Sequence, residues 1–438
     1  MKNHRISKKI LAFGMGGICL ASAFAGCGGG NAGKSGDTED LTGKYQKEKT
    51  VAEGDVTDEF AVAYADFSLN LLKESRKSET KDQKNTMVSP VSVMTALEMT
   101  RCGADGETEK QMDQVLYEGL SGDEGRENLM RFTDGLTDEK DAALLTANSI
   151  WFRSEADGIE PKQEFLESNG ADFDADIFMA PFDEGTLKDI NDWVDKKTDG
   201  NVPQILDEVP QKAKMYLINA SSFEAKWDLE YNESDILENE EFTCADGTKK
   251  QVDLMMSTEW NYICGDHETG FKKEYQTGYS FVALLPDETM NIDDYVNQLD
   301  GTAFLKLMQG VREEKVYTRL PAFETDTKLE LSDTLEALGM PLAFDEERAE
   351  FPGIFEDPAE QVWIGRVLHN THIRVDAQGT KAGAATAVEA LVKNAADGEP
   401  EDESKEVYLT RPFVYAVVED DTNLPVFIGV VEDIGTRK

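Results

Sequence analysis

The sequence predicts a mixed α+β chain built as one large domain. Strand-like and helix-like runs alternate along it without the regular spacing of strand–helix–strand units. The printed sequence also shows no internal repeat. With 438 residues, of which 40% are hydrophobic, the chain can bury a sizeable core. Length alone gives only a weak prior for two or three domains.

The charge balance argues against one class of partner. The formal net charge is −43, whereas nucleic-acid binding depends on Lys and Arg contacts to phosphates. We therefore expect no nucleic-acid partner. The same charge disfavours electrostatic adhesion to anionic lipid, and it favours solubility and attraction to cationic partners.

Residues 1–26 are predicted to be an export signal and are left out of the fold. Basic residues precede an apolar run, Ile10–Ala25, and the segment ends in Phe24-Ala25-Gly26-Cys27. This ending resembles a bacterial lipoprotein cleavage box, although that pattern prefers Leu where Phe24 stands. The resemblance implies cleavage before Cys27 and lipidation of its thiol, which would hold the protein to a membrane without spanning it. A plain secretory signal is the alternative.

Residues 27–56 are predicted to be a flexible tether, because they are rich in Gly, Lys, Glu, Thr and Asp and hold few large apolar side chains. The predicted domain is then 57–438. It contains Cys102, Cys244 and Cys264. An odd count at irregular spacing does not form a disulfide framework, and no CxxC pair is present for zinc. We expect these cysteines to be small buried hydrophobic side chains.

The predicted helices each carry an apolar face with a spacing of three or four residues. Ser89-Pro90 marks one start, since Ser caps a first turn and Pro fits the first helical position. Asp199-Gly200 closes another helix. The predicted helices are Thr57–Lys77, Pro90–Gly103, Thr186–Lys197, Ile292–Gln309 and Leu329–Gly339.

The predicted strands are short apolar or alternating runs bounded by turn residues. Asp246-Gly247 is typical of a hairpin turn, and Asp420–Leu424 joins the last two strands. The strand predictions are Met87–Val88, Ala142–Arg153, Lys214–Trp227, the hairpin Phe242–Met256, Tyr279–Leu285, Val362–Asp376, Arg411–Val418 and Val426–Val431.

The stretch Gly379–Asn394 has two interpretations. As an extended chain it presents one small, uncharged face that could lie against a packed core. The members of this face are Thr380, Ala382, Ala384, Thr386 and Val388. Local composition alone favours a surface helix instead, because Ala, Glu, Leu and Lys are strong helix formers and Glu389 and Lys393 are four apart.

No motif in the sequence supports catalysis. Within the predicted domain 57–438, the GxSxG, HExxH, GxGxxG and P-loop patterns are absent. His369 and His372 are three apart on a predicted strand, so they should point to opposite faces and share no metal. An unpaired imidazole in an apolar strand would be costly, so we expect His369 to join Ser89, Ser92 and Asn219 in a buried polar cluster. No metal, no cofactor and no enzymatic activity are predicted.

Several segments, in their order and spacing, resemble the serpin family over Thr57–Val431. A single segment is weak evidence for the family, but the whole set in this order and spacing is specific to it. They read NTMVSPVS, INDWVDKKTDGNVPQIL, LINASSFEAKW, ADGTKKQVDLMM, LLPDE, RLPAF and RPFVYAVVEDDTNLPVFIGVV. The resemblance implies an α+β serpin fold with about three β-sheets, eight or nine helices and an exposed reactive-centre loop.

The resemblance also implies roles for single residues. Ser89, Ser92, Asn219 and His369 match the polar cluster beneath the family's main sheet, which is called the shutter. Trp227 matches the buried tryptophan of the breach, where insertion of the loop into the sheet begins.

Gly379 begins the segment that matches the hinge of the reactive-centre loop. The hinge residues are Gly379, Thr380, Lys381, Ala382, Gly383, Ala384, Ala385 and Thr386. The usual loop length then puts the reactive bond between Lys393 and Asn394. Three features depart from the family pattern: Ala377 and Lys381 each replace a frequent Glu, and 393–412 is several residues longer than in most relatives. Neither replacement makes the hinge bulkier, so inhibition is still expected.

The implied function is suicide inhibition of a trypsin-like serine protease through a covalent complex. An elastase-like target cutting near Val392, Ala395 or Ala396 is one alternative. A non-inhibitory serpin acting as a surface binding protein is another, and a lipid-anchored solute-binding protein fits the export signal and tether alone. We expect a monomer, exported to the bacterial cell surface on a lipid anchor or secreted.

Overall fold

The computed structural model describes residues 38–45, 52–77, 85–136, 144–154, 160–209, 214–357, 361–380 and 405–434. The export signal, Cys27, Lys381–Thr386 and the Lys393–Asn394 bond lie outside the described residues.

The described residues form ten α-helices, where the resemblance implied eight or nine. They are α1 (Thr42–Tyr45), α2 (Asp58–Lys77), α3 (Pro90–Arg101), α4 (Gly106–Tyr117), α5 (Gly122–Leu136), α6 (Gln163–Asp172), α7 (Glu184–Lys197), α8 (Ile292–Gln298), α9 (Gly301–Gln309) and α10 (Ser332–Leu338). The helix predicted over Ile292–Gln309 is interrupted, because Leu299 is extended and the Asp300 side chain caps α9 by accepting from the Ala303 N–H. The helix predicted to begin at Leu329 begins at Ser332.

Seventeen strands are present in the same part of the chain. They are β1 (Glu39–Asp40), β2 (Thr86–Val88), β3 (Leu144–Arg153), β4 (Asp176–Ala180), β5 (Met215–Phe223), β6 (Ala225–Lys226), β7 (Ile236–Thr243), β8 (Lys249–Cys264), β9 (Glu268–Glu274), β10 (Tyr279–Pro286), β11 (Arg312–Pro321), β12 (Phe323–Glu330), β13 (Leu368–Asp376), β14 (Gly379–Thr380), β15 (Lys405–Tyr408), β16 (Phe413–Glu419) and β17 (Pro425–Val431).

The strands pair in three sheets. A nine-stranded sheet has the order β15-β11-β8-β9-β10-β16-β17-β2, with β7 also on β8. Two four-stranded ladders have the orders β1-β4-β3-β5 and β12-β13-β14-β6. These ladders lie side by side, because β5 neighbours β13 and β6 follows β5 along the chain. We call the two ladders together the main sheet. No ladder pairing joins β5 to β13 among the described residues.

Helices cover both faces of the main sheet, and the alternation along β3 shows how. Trp151 packs in a cluster with Ile190 and Trp193 of α7. Its neighbours Ile150 and Phe152 point the other way, into the large core that also holds α3. Alternate residues of a strand serve opposite faces, so the main sheet is packed between α7 and α3.

Two boundary predictions were wrong. The strand predicted from Val362 begins only at Leu368, because the preceding segment is held by other contacts; the Ile364 N–H, for example, donates to the Ala343 carbonyl at 2.8 Å. Part of the predicted tether is ordered. β1 adds antiparallel to β4, and the Leu41 N–H donates to the Ile177 carbonyl at 2.8 Å.

The cysteines follow the prediction only in part. Cys102, Cys244 and Cys264 are free thiols, but only Cys244 is buried and the other two are half-buried. Burial raises the pKa of the Cys102 thiol, so Cys102 is protonated at neutral pH.

Candidate functional site

The stem of the predicted loop already forms a short strand inside the main sheet. β14 pairs antiparallel with β13 on one side, Thr380 opposite Val375. It pairs antiparallel with β6 on the other, Thr380 opposite Ala225. The chain therefore enters the sheet between two strands, in the direction that a longer inserted strand would follow.

Gly379 is required by the local backbone. Its φ is +151°, and a Cβ added there would lie 2.1 Å from the Ala225 carbonyl oxygen. Real Cβ atoms do not approach backbone oxygen so closely, and glycine adopts such φ values without strain. A glycine thus lets the two backbones approach at the point where the loop leaves β13.

Thr380 is fully buried. Its hydroxyl forms a hydrogen bond of 2.8 Å with the hydroxyl of Tyr275, whose pKa is raised by burial. Two neutral hydroxyls satisfy one another here. A charged side chain at position 380 would lose its hydration without a partner.

Trp227 holds the turn that precedes β14. It is fully buried and stacks on Tyr275 with ring centroids 4.4 Å apart. Its indole N–H donates to the Asp376 carbonyl at 2.9 Å, and its backbone N–H donates to the Gln378 carbonyl at 3.1 Å. The Tyr231 N–H donates to the carbonyl of Ala377 at 2.9 Å, so three successive carbonyls of the turn have partners.

Sequence reasoning missed Lys273, which lies beside this tryptophan. Its side chain is only 3% exposed and pairs with Glu259 at 2.8 Å. Its ammonium also lies 4.6 Å from the ring centroid of Tyr231 and 5.4 Å from that of Trp227. A buried lysine needs both a carboxylate and favourable neighbours. The only sequence signal was its place in an alternating strand.

The polar cluster forms between α3 and the main sheet. The Ser89 and Ser92 hydroxyls are 2.9 Å apart, and the Ser89 backbone N–H donates to His369 Nε2 at 2.9 Å. Because Nε2 accepts, the neutral ring carries its proton on Nδ1. Burial lowers the pKa of His369 to about 4, which keeps the ring neutral at pH 7. The Ser89 hydroxyl donates to the Val426 carbonyl and does not cap α3, which corrects the capping prediction.

Asn219 does not hydrogen-bond to Ser89, Ser92 or His369. Its amide donates to Asn148 Oδ1 at 2.6 Å. Ser221, two residues along β5 and on the same face, accepts the bond from Ser92 at 2.7 Å instead. Strand alternation indicated that positions 219 and 221 share a face, but it did not indicate which would reach α3.

One group of described residues could hold a metal ion. Glu324, Asp326 and His372 bring three ligand atoms within 4.8 Å of one another, and His372 Nδ1 lies 2.7 Å from Asp326 Oδ1. His372 lies on the opposite side of β13 from the buried His369, as alternation predicts. No helix within the described residues combines the length and apolar character needed to cross a membrane.

This fold and site define a class of protein whose main sheet holds a two-residue strand, β14, between β13 and β6. The family model Serpin (serine protease inhibitor) matches residues 62–434, and the chain belongs to the serpin family. The fold predicted from the resemblance is confirmed.

Individual relatives support the assignment to the serpin family. An uncharacterized serpin-like protein of Methanosarcina acetivorans is 27% identical over 402 residues, covering 88% of this chain and 91% of that protein. The crystal structure of the thermophilic serpin tengpin in its native state is 36% identical, with a TM-score of 0.82, covering 91% of this chain and 100% of tengpin. The latent state of tengpin gives 35% identity and a TM-score of 0.75, covering 87% of this chain and 100% of tengpin. The described fold is thus more similar to the native state than to the latent one.

Proposed function

We propose that this serpin is a suicide inhibitor of serine endopeptidases, which traps the acyl-enzyme by inserting its loop into the main sheet after cleavage at Lys393–Asn394. The observation that carries the proposal is β14, whose two residues pair antiparallel with a strand on each side. A strand continuing from Thr380 between β5 and β13 would gain ladder bonds to both.

The register of β14 gives a reason for the small face of the loop. Continued along β13, it sets Ala382 opposite Ile373, Ala384 opposite Thr371 and Thr386 opposite His369. Those three β13 residues are 1%, 3% and 4% exposed. Directly opposite residues of antiparallel strands share a face, so the small face would be buried in the core over α3.

The same register continued along β5 sets Thr386 opposite Asn219. The hydroxyl of Thr386 would then lie between Asn219 and His369, each of which has a polar atom without a partner among the described residues. Insertion would complete the polar cluster. This gives Asn219 a role although it does not bond to the cluster in the present structure.

For such an inhibitor, insertion of the loop must lower the free energy of the protein. A strand of about 14 residues with ladder bonds on both sides gains on the order of 10 kcal/mol at ~0.5–1.5 kcal/mol per bond. This matches the stability of a whole domain, about 5–15 kcal/mol, and so suffices to distort a protease. The uncleaved protein then stays in its less stable form because a kinetic barrier prevents insertion.

The reaction uses the chemistry of the protease. The protease serine attacks the Lys393 carbonyl, the C–N bond to Asn394 breaks, and the leaving amine takes a proton from the catalytic histidine. The loop from Thr380 to Lys393, attached as an ester, inserts between β5 and β13 before water can hydrolyse it. The serpin itself supplies no catalyst and needs no cofactor, and we propose that it acts as a monomer.

The test is incubation of the full-length protein with trypsin and with elastase, read on a denaturing gel. A boil-resistant adduct with trypsin, and a released peptide that begins with Asn394, are expected. The alternative result is an adduct with elastase alone, with a released peptide that begins after Val392, Ala395 or Ala396. That result would place the reactive bond at one of these residues and make the target elastase-like. Cleavage without any adduct would make the protein a non-inhibitory serpin.

A substitution at Thr380 tests the hinge assignment separately. Thr380→Arg should convert the inhibitor into a substrate, because an arginine cannot enter the fully buried position of Thr380. Thr258→Arg, an exposed threonine on β8, is the matched control and should leave the adduct intact. Undiminished adduct with Thr380→Arg would contradict the hinge assignment.

We further propose export to the bacterial cell surface with Cys27 lipidated. Support comes from the sequence of residues 1–27. The protein expressed in a bacterium should partition into the detergent phase of a Triton X-114 extract. Cys27→Ser should move it to the aqueous phase, and an aqueous wild-type protein would favour plain secretion.

A further inference from the structure

A cavity of about 320 Å³ lies between α3, the Met215 end of β5 and the segment that leads into β13. We call it the sub-sheet cavity. Its walls are mainly apolar and include Val93, Ala96 and Leu97 of α3, together with Leu217 and Ile364. This volume falls at the low end of the range of small-molecule sites, about 300–1,000 Å³.

One end of the cavity is polar and incompletely paired. Ser92, Asn219 and His369 line it. His369 is 4% exposed, and its Nε2 accepts from Ser89, so the N–H lies on Nδ1 and has no partner among the described residues. The Asn219 Oδ1 is buried and likewise without a partner in this part of the chain. One donor and one acceptor are thus available to a hydroxyl group.

The opposite, exposed end is cationic. Lys214 and Arg366 both line the cavity, in a chain whose formal net charge is −43. Tyr216 also contributes to the wall, but its ring packs against Phe182 on the α7 face of the main sheet.

We propose that the sub-sheet cavity binds an amphipathic carboxylate whose apolar body ends in a hydroxyl group. The apolar body lies along α3, the hydroxyl group reaches His369 and Asn219, and the carboxylate is held by Lys214 and Arg366. Apolar walls with a few convergent polar groups are the usual form of such sites, and the cationic opening selects the anion.

The ligand would regulate inhibition, a consequence that rests on the proposed function. In the register of β14, loop residues 388–391 fall opposite Leu217–Lys214 on β5 and opposite Val367–Ile364 before β13. These residues line the sub-sheet cavity. Ligand and inserted strand therefore compete for one space, and the ligand should slow the last third of insertion and divert the serpin to the substrate pathway.

The direct test is isothermal titration calorimetry of the full-length protein with ω-hydroxydodecanoate. Dodecanoate lacks the hydroxyl group and the α,ω-diol lacks the carboxylate. We expect the hydroxy acid to bind at least tenfold more tightly than either, a difference of ~1.4 kcal/mol. Equal affinity for all three probes, or no binding, would overturn the proposal.

Variants locate the site. Lys214→Ala with Arg366→Ala should weaken binding of the hydroxy acid but not of the diol, whereas Arg348→Ala, an exposed arginine elsewhere, should change neither. Ala96→Phe should fill the cavity and abolish binding, with its fold checked by near-UV circular dichroism. Unchanged binding in the folded Ala96→Phe variant and in the double variant would contradict the site.

The regulatory consequence is read separately, as the moles of serpin needed to inactivate one mole of trypsin. This ratio should rise severalfold with saturating hydroxy acid in the wild type and stay nearly constant in the Lys214→Ala/Arg366→Ala double variant. Binding with no change in the ratio would overturn the competition alone. Absence of any trypsin adduct without ligand would instead contradict the proposed inhibitory function, and the calorimetry would still decide the site.

Discussion

The two ends of the gap between β5 and β13 differ in how far they are filled. At the hinge end, β14 occupies the gap, and Trp227 and Tyr231 satisfy the carbonyls of the turn. At the far end, the same gap opens on a cavity of about 320 Å³, where His369 and Asn219 keep polar atoms without partners among the described residues. The main sheet is closed at one end only, and under the proposed function the inserted loop, with its small face, would fill the other end.

Insertion of the cleaved loop at the far end should give the largest change in stability. Cleavage of the loop should raise the melting temperature by on the order of 10 °C, because ~10 kcal/mol of ladder bonding becomes available. Differential scanning calorimetry of intact and cleaved protein measures it. Cleaved Thr380→Arg should show no such gain, and equal melting of the intact and cleaved wild type would mean that the gap accepts no strand.

Substituting Trp227, whose contacts close the gap at the hinge end, should have the next largest effect on stability. Trp227→Ala should destabilise the protein by about 3–5 kcal/mol, as expected for a fully buried aromatic side chain. Trp227→Phe keeps a ring to stack on Tyr275 and loses the bond to the Asp376 carbonyl, so about 1–2 kcal/mol is expected. Urea unfolding followed by circular dichroism measures both.

The matched control for this comparison is Trp260, which is 60% exposed. Trp260→Ala should change the free energy of unfolding by no more than about 0.5 kcal/mol. A Trp260→Ala effect as large as that of Trp227→Ala would mean that the hinge closure has no special weight.

The far end should respond to acid through His369. The pKa of His369 is about 4 in the folded protein against about 6.5 when unfolded. Because the unfolded state binds more protons between these values, stability is complete above pH 6.5 and falls as pH is lowered toward 4, by on the order of 3 kcal/mol. The measurement is urea unfolding at several pH values. His369→Gln keeps an acceptor for the Ser89 N–H and should flatten this part of the profile, and an unchanged profile would contradict the assignment.

Sequence patterns predicted the elements whose signals are local. Helix α2 begins one residue after the predicted start, and Thr57 accepts from the Phe60 N–H as a capping residue should. Helix α5 was missed because its sequence is mostly polar and contains three glycines, although Ser121 and Glu124 form reciprocal capping contacts at its start that a search for capping boxes would have found.

The site was less predictable because it depends on long-range pairing. Composition around Gly379 favours a helix, yet the first two residues form β14, since β13 and β6 supply partners on both sides. Likewise the sequence indicated polar residues on one face of β5, but only the packing of α3 against that strand decides that Ser221, and not Asn219, meets Ser92. The family resemblance supplied the roles that local patterns lack.

The smallest effect should come from Gly379, at the hinge end of the gap. Gly379→Ala sets a Cβ 2.1 Å from the Ala225 carbonyl oxygen, and the least costly response is withdrawal of β14, with a loss of about 1–3 kcal/mol. Gly119→Ala is the control, since Gly119 also has a positive φ, +96°, but no atom within 4 Å of an added Cβ; it should cost about 1 kcal/mol. Limited proteolysis near residue 379 should accelerate only in Gly379→Ala. Equal proteolysis of both variants would mean that the hinge end is closed by Trp227 alone and does not depend on the close approach of the two backbones.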